Sequence, residues 1–144
     1  MIEVTIDLYI EEKPEKVFAF ISDFANNPQW QDGMVSCVFT SEPPLRVGST
    51  YDQKAQFLGR DIISSFEVIA YEPGNMVKAT TTQSSFPITF TRRVQAEGEG
   101  SRVNALIEGD AKGFFRLAQP LMRWMVNRSI QKDYRKLKTL MEHG

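Results

Sequence analysis

The 144-residue chain has one cysteine, Cys37, and one histidine, His143. An internal disulfide is therefore impossible, and a Cys/His zinc cluster, a Ser-His-Asp triad and a Cys-His pair all lack their parts. Only a carboxylate-only metal site survives these counts. No spacing of Asp and Glu suggests one, so neither a metal nor another cofactor is expected. Charge of one sign is also lacking: 17 Lys/Arg against 18 Asp/Glu leave a net charge of −1, with no overall basic field for nucleic acid. No apolar run approaches the ~18 residues that cross a bilayer. The stretch Met1-Ile2-Glu3-Val4-Thr5-Ile6-Asp7 alternates and is acidic where a secretion signal would be basic and then continuously apolar. These absences describe a reduced, cytoplasmic protein that neither inserts into a membrane nor binds nucleic acid.

What is present is ordinary globular material, 42% hydrophobic and 24% charged, in a length that suits one domain over residues 1–144. A folded chain of this size hides about two-thirds of its surface, enough for a sizeable core. The charge is unevenly placed. Residues 112–144 carry eight Lys/Arg and two Asp/Glu, whereas residues 1–111 carry nine and sixteen.

Ile2, Val4, Ile6, Leu8 and Ile10 alternate with polar residues, the period of a strand with one buried face. Pro14 then suits a first helical turn, and Val17, Phe18, Phe20, Ile21 and Phe24 follow at helical spacing. Asn26-Asn27-Pro28 breaks that helix, and Gln29-Trp30-Gln31-Asp32 begins another short turn or helix. Six strands are predicted next: Val35 to Thr40, Thr50 to Phe57, Arg60 to Ala70, Met76 to Gln83, Ile88 to Ala96 and Arg102 to Gly109. Their connections are too short for parallel crossovers, so neighbours run antiparallel. A helix from about Phe114 to Glu142 ends the chain, with a kink or restart expected at Pro120. Ile130, Tyr134, Leu137 and Met141 give its second half one apolar face. In its first half Phe114, Phe115, Leu117, Leu121, Met122, Trp124, Met125 and Val126 surround nearly the whole circumference, as in a helix covered on more than one side.

This order of elements resembles the helix-grip superfamily of START lipid-transfer domains, birch-pollen-allergen-like proteins and bacterial polyketide cyclase/dehydrase-like proteins (the SRPBCC group). The resemblance is carried by Pro14-Glu15-Lys16-Val17-Phe18-Ala19-Phe20-Ile21-Ser22-Asp23, Pro28-Gln29-Trp30, Val47-Gly48-Ser49-Thr50-Tyr51, Tyr71-Glu72-Pro73 and Leu137-Lys138-Thr139-Leu140-Met141-Glu142. It implies an α+β fold: a curved antiparallel sheet of about seven strands gripping a long C-terminal helix, with two short helices after strand 1 and a cavity between sheet and helix.

Strand parity says which side chains face that helix. Charged residues at even positions put Tyr51, Gln53, Ala55 and Phe57 inward. Ile62, Ser64, Phe66 and Val68 follow on the next strand, then Val77, Ala79 and Thr81, and finally Val103, Ala105 and Ile107. Ile88, Phe90, Val94 and Ala96 share one parity, and Arg92 falls among them. Either a bulge at Arg92-Arg93 resets the register, or the tip of Arg92 reaches solvent, or Arg92 projects into the cavity and needs an acceptor. Gln53, Ser64 and Thr81 are further inward polar groups, which either bond internally or orient a ligand. Trp30, Phe114, Phe115, Leu121, Trp124 and Met125 are candidate walls, with the segment from Phe114 through Leu121 to Met125 expected across the concave face.

The candidate ligand-binding set is therefore Trp30, Tyr51, Gln53, Phe57, Ser64, Phe66, Thr81, Phe90, Arg92, Phe114, Leu121, Trp124 and Met125. The expected function is binding or carriage of a small apolar molecule such as a lipid, isoprenoid or polyketide, elongated and with one polar or acidic end oriented by Arg92 with help from Tyr51 or Gln53. The alternatives are a metal-free polyketide cyclase/dehydratase-like enzyme using Tyr51, Arg92 or Asp32, and a protein-interaction module using the basic helix and the loops near Trp30 and Phe86. The basic final helix either complements its own dipole and the acidic remainder or makes weak contact with anionic surfaces.

Overall fold

The structure is a computed structural model and describes residues 2–110 and 119–143. β1 (Ile2–Ile10) buries Ile2, Val4, Ile6 and Ile10 and leaves Glu3, Thr5 and Asp7 outside. α1 (Pro14–Ser22) opens on proline, whose missing N–H has no intrahelical role in a first turn, and turns Val17, Phe18 and Ile21 inward. A single 3-10 turn, Phe24–Asn26, leads into α2 (Asn27–Trp30). The second short helix thus starts at Asn27 with Pro28 in its first turn, earlier than the sequence pattern suggests. Proline stops the helix before it and suits the opening of the one it begins.

The remaining strands are β2 (Met34–Phe39), β3 (Thr50–Phe57), β4 (Arg60–Glu72), β5 (Met76–Ser84), β6 (Ile88–Glu97) and β7 (Gly100–Gly109). They join β1 in one antiparallel sheet of order β1-β7-β6-β5-β4-β3-β2. The sheet curls around its inward residues and, with α3 (Gln119–His143), forms the α+β helix-grip fold. Register shifts fall on β2 between Met34 and Ser36, and at Ser65/Phe66 and Val68/Ala70 of β4. Gly33 makes the corner into β2 at φ +81°, where a Cβ would stand 2.5 Å from the carbonyl oxygen of Gln56. Only glycine suits that position.

α3 lies along β1. Gln131 Nε2 donates to the Thr5 carbonyl at 3.1 Å, Lys138 Nζ to the Tyr9 carbonyl at 2.6 Å, and the Glu11 N–H to the Glu142 carboxylate at 2.8 Å. Its buried side chains are Met122, Asp133, Tyr134, Leu137 and Met141, with Val126 and Ile130 packed beside them. This corrects the expected placement of its first half, because Leu121 is 47% and Trp124 58% exposed. Steps of three and four residues back from Leu137 lead to Ile130, Val126 and Met122. Leu121 and Trp124 lie off that line, and Arg128 covers the Trp124 ring at 5.5 Å. Phe114, Phe115 and Leu117 lie outside the described residues, as does the stretch before Gln119 on which a kink at Pro120 would show.

Candidate functional site

Between the concave sheet face and helices α2 and α3 is a cavity of about 120 Å³. The sheet lines it with Gln53, Phe66, Ile88, Phe90, Arg92 and Ile107. The segment around α2 adds Asn27, Gln31 and Met34, and α3 adds Ile130, Asp133 and Tyr134.

Arg92 is the charged residue that β6 sends into this space, beside Ile88 and Phe90. The pairing Val77↔Arg92 with β5 and Arg92↔Ala105 with β7 continues unbroken through Arg93. There is no bulge, and Arg92 keeps the inward parity of Phe90 and Val94 at 3% exposure. Its Nη1 donates to the Ile21 carbonyl at 2.8 Å and to Asn27 Oδ1 at 3.3 Å. Ile21 belongs to the last turn of α1, where carbonyls lack helical partners and the dipole favours a cation. Three rings add their faces: the guanidinium carbon stands 4.6 Å from the Phe90 centroid, 5.0 Å from Trp30 and 5.6 Å from Phe24. No carboxylate pairs with Arg92 among the described residues. Neither Nε nor Nη2 has a hydrogen-bond acceptor among them.

Two other buried donors share this condition. Trp30 Nε1 and the Tyr51 hydroxyl have no partner among the described residues. Tyr51 stacks on Phe66 with centroids 4.9 Å apart and rings nearly parallel, and lies against Phe24 at 4.6 Å. Burial pushes its hydroxyl well above the ordinary phenol range, so it remains a neutral donor. An unpaired buried donor costs about 1–3 kcal/mol. One of them on the guanidinium itself and two from neighbouring rings form a neighbourhood rich in N–H and O–H and poor in acceptors.

Asp133 faces the cavity from the helix side and is buried. Its Oδ1 accepts the Asp32 main-chain N–H at 3.0 Å, while no hydrogen bond among the described residues reaches Oδ2. Burial raises its carboxyl to about 7, opposed by that hydrogen bond and by Lys136 and Lys132, and reinforced by the Asp32 charge. The cavity thus has a cation on its sheet wall and a readily protonated carboxyl on its helix wall.

Of the sequence-predicted residues, Gln53, Phe66, Phe90 and Arg92 are brought together on the cavity wall. Trp30 and Tyr51 are fully buried in the aromatic cluster beside it. Phe57 is half-buried against the core. Ser64 and Thr81 are used internally: the Ser64 hydroxyl pairs with Ser84 at 2.6 Å, and Thr81 Oγ1 accepts the Ile88 N–H at 3.1 Å. Met125 is half-buried away from the lining, Leu121 and Trp124 face outward, and Phe114 lies outside the described residues. The sequence reading missed Asn27 and Asp133. Asn27 sits in a breaker motif, yet it accepts from Arg92 and offers Nδ2 to the Cys37 sulfur at 3.9 Å. Asp133 had a legible signal, an acid on the same stripe as Ile130 and Leu137 in an otherwise basic helix.

A larger cleft of about 340 Å³ opens between the end of α1 and the β2–β3 loop, lined by Ser22, Asp23, Phe39 and Pro43 to Leu45 among others. None of the three unpaired donors lies on it.

The sequence model of the family described as polyketide cyclase / dehydrase and lipid transport matches residues 1–142. The chain belongs to this family. No curated protein sequence matches it. Among solved structures, a START superfamily protein from Mycobacterium smegmatis has a TM-score of 0.79 at 13% identity, covering 97% of each chain. A Thermus thermophilus protein has a TM-score of 0.78 at 18% identity, covering 95% of this chain and 94% of that one. The di-domain ARO/CYC StfQ of the steffimycin biosynthetic pathway scores 0.72 at 12% identity, over 98% of this chain and 50% of its own. At these identities the likeness is one of fold. Within the family frame, this chain's own cavity carries Arg92, Asp133 and Gln53 among its polar groups.

Proposed function

We propose that the protein binds and carries a small apolar molecule bearing an oxygen acceptor, seated between the sheet and α3 with that oxygen on Arg92. The observation that carries this reading is the guanidinium, walled by Phe24, Trp30 and Phe90, with N–H groups left without acceptors beside an apolar cavity. Membership of a family described by cyclase, dehydrase and lipid-transport activities supports an apolar ligand. Size narrows the class. An apolar cavity of roughly 150 Å³ accepts benzene, so about 120 Å³ suits one ring or a short branched chain and is too small for a long acyl chain.

The test is a pair of titrations on wild type and Arg92→Met, with cinnamate and cinnamyl alcohol as probes and the fluorescence of buried Trp30 as reporter. A charge-assisted hydrogen bond is worth about 1.5–3 kcal/mol, so Arg92→Met should weaken cinnamate roughly ten- to a hundredfold. The alcohol should be nearly unaffected. Equal losses for both probes would remove Arg92 from the binding role, and failure of wild type to bind either would sink the ligand class.

A further inference from the structure

We infer that the cleft between the end of α1 and the β2–β3 loop is a second binding site, for a small apolar amine in its protonated form. It is separate from the Arg92 cavity and does not rest on the ligand proposed there. Its volume of about 340 Å³, against about 120 Å³ for that cavity, falls within the range of small-molecule pockets and takes a ring with a short chain. Phe39, Pro43, Pro44 and Leu45 give it apolar walls. Phe39 and Leu45 are packed against the core, and the Phe39 ring stacks on Phe24 with centroids 5.8 Å apart. The Pro43-Pro44 stretch is braced by Arg46, whose Nη1 donates to the carbonyls of Glu42 at 3.2 Å and Pro44 at 3.1 Å.

The polar groups decide the class. The lining hydroxyls are already engaged: Ser22 Oγ donates to the Phe18 carbonyl at 2.7 Å, Ser41 Oγ accepts the Thr50 N–H at 3.0 Å, and Ser49 Oγ accepts the Arg46 N–H at 2.9 Å. What remains is two carboxylates, Asp23 and Glu42, and no lysine or arginine lines the cleft. Asp23 Oδ1 accepts the Ala25 N–H at 3.3 Å. Neither its Oδ2 nor the Glu42 carboxylate has a hydrogen bond or ion pair among the described residues. A carboxylate only accepts, so the occupant must bring donors, and two negative charges with no cation on the wall repel an anion. A protonated amine brings three N–H donors and the opposite charge. Its apolar body suits Leu45 and the prolines, and the face of Phe39 attracts a cation as well. A hard divalent ion asks for about six or more oxygen ligands, which these apolar walls do not supply.

The experiment titrates phenethylamine, and phenethyl alcohol as its neutral counterpart, into isotope-labelled protein at neutral pH while NMR follows the backbone amides. The amine should bind about tenfold more tightly than the alcohol, with its shifts concentrated at Ser22, Asp23, Ser41, Glu42 and Leu45. Asp23→Asn keeps an oxygen for the Ala25 N–H, and Glu42→Gln keeps the shape of an exposed side chain, so the double variant should fold as wild type does. It should bind the amine about tenfold more weakly and the alcohol unchanged. Salt at about 0.5 M should likewise weaken the amine on wild type, because these charges stand near solvent. Equal binding of amine and alcohol, amine binding untouched by the double variant, or shifts gathered around Arg92 would each overturn the assignment. Absence of amine binding to wild type would overturn it too, and would leave the Arg92 reading, tested with cinnamate, where it stands.

Discussion

Arg92 Nη1 and the main-chain oxygen of Ile21 stand 2.8 Å apart, tying the middle of β6 to the last turn of α1. This bond brings a strand residue, a helix end and, through Asn27, the short helix α2 to one point under the cavity. The buried charge is held by a carbonyl, an amide oxygen and three ring faces, with no carboxylate paired to it among the described residues. Its arrangement leaves donor capacity for something else.

The structural part of that role has a measurable size. Arg92→Met leaves the Ile21 carbonyl without its donor and should cost about 1–3 kcal/mol in urea unfolding. Arg102→Met breaks only exposed contacts to Glu97 and Asp7 and should leave the urea midpoint nearly unchanged. Similar losses for the two would mean that the Ile21 contact contributes nothing special.

The phase of α3 is tested by two neighbouring residues. Met122→Asp places an unpaired charge in the core and should lower stability by several kcal/mol. Leu121→Asp, one residue away on the outer face, should change it by no more than about 0.5 kcal/mol. Reversed melting shifts would rotate the helix relative to this description.

Asp133 gives stability a pH dependence of known sign. Its carboxyl is raised from an ordinary 3.8 to about 7 on folding, so between those values the folded chain holds a proton that the unfolded chain has released. The contribution is full below the lower value and is lost as pH rises toward the upper one. Asp133→Asn cannot ionise, so its stability relative to wild type should increase between about pH 4 and pH 8, by an amount on the order of a few kcal/mol. Denaturant melts of both proteins at several pH values measure this, and a flat difference would place Asp133 in contact with water.

Cys37 should be inert while the chain is folded. Burial raises its thiol to about 12, leaving almost no thiolate at neutral pH. Labelling by a chromogenic disulfide reagent should follow unfolding, becoming rapid only in denaturant. Rapid labelling of the native protein would show that β2 opens readily at this position.

Much of the fold was legible along the chain. Period-two alternation in β1 and in β3 to β7 assigned the inward faces, because a strand side chain has only two sides to choose from. Glu67 and Lys78 marked the outward side, and turns such as Glu72-Pro73-Gly74-Asn75 set the antiparallel order. Parity also put Arg92 on the inner side of β6. Whether a bulge intervened was decided only by its pairing with Val77 and Ala105, which the sequence of one strand does not contain. The first half of α3 was illegible for a related reason. Its apolar residues surround the helix, so periodicity carries no phase there, and packing of the second half against β1 chose Met122 over Leu121. Asn27 became a site residue through tertiary structure alone, whereas Asp133 left a signal in its place on the apolar stripe of α3. A helix breaker and an acid on a mostly basic helix take on chemistry only where folding sets the first against Arg92 and the second on the same cavity, with water excluded and charge costly.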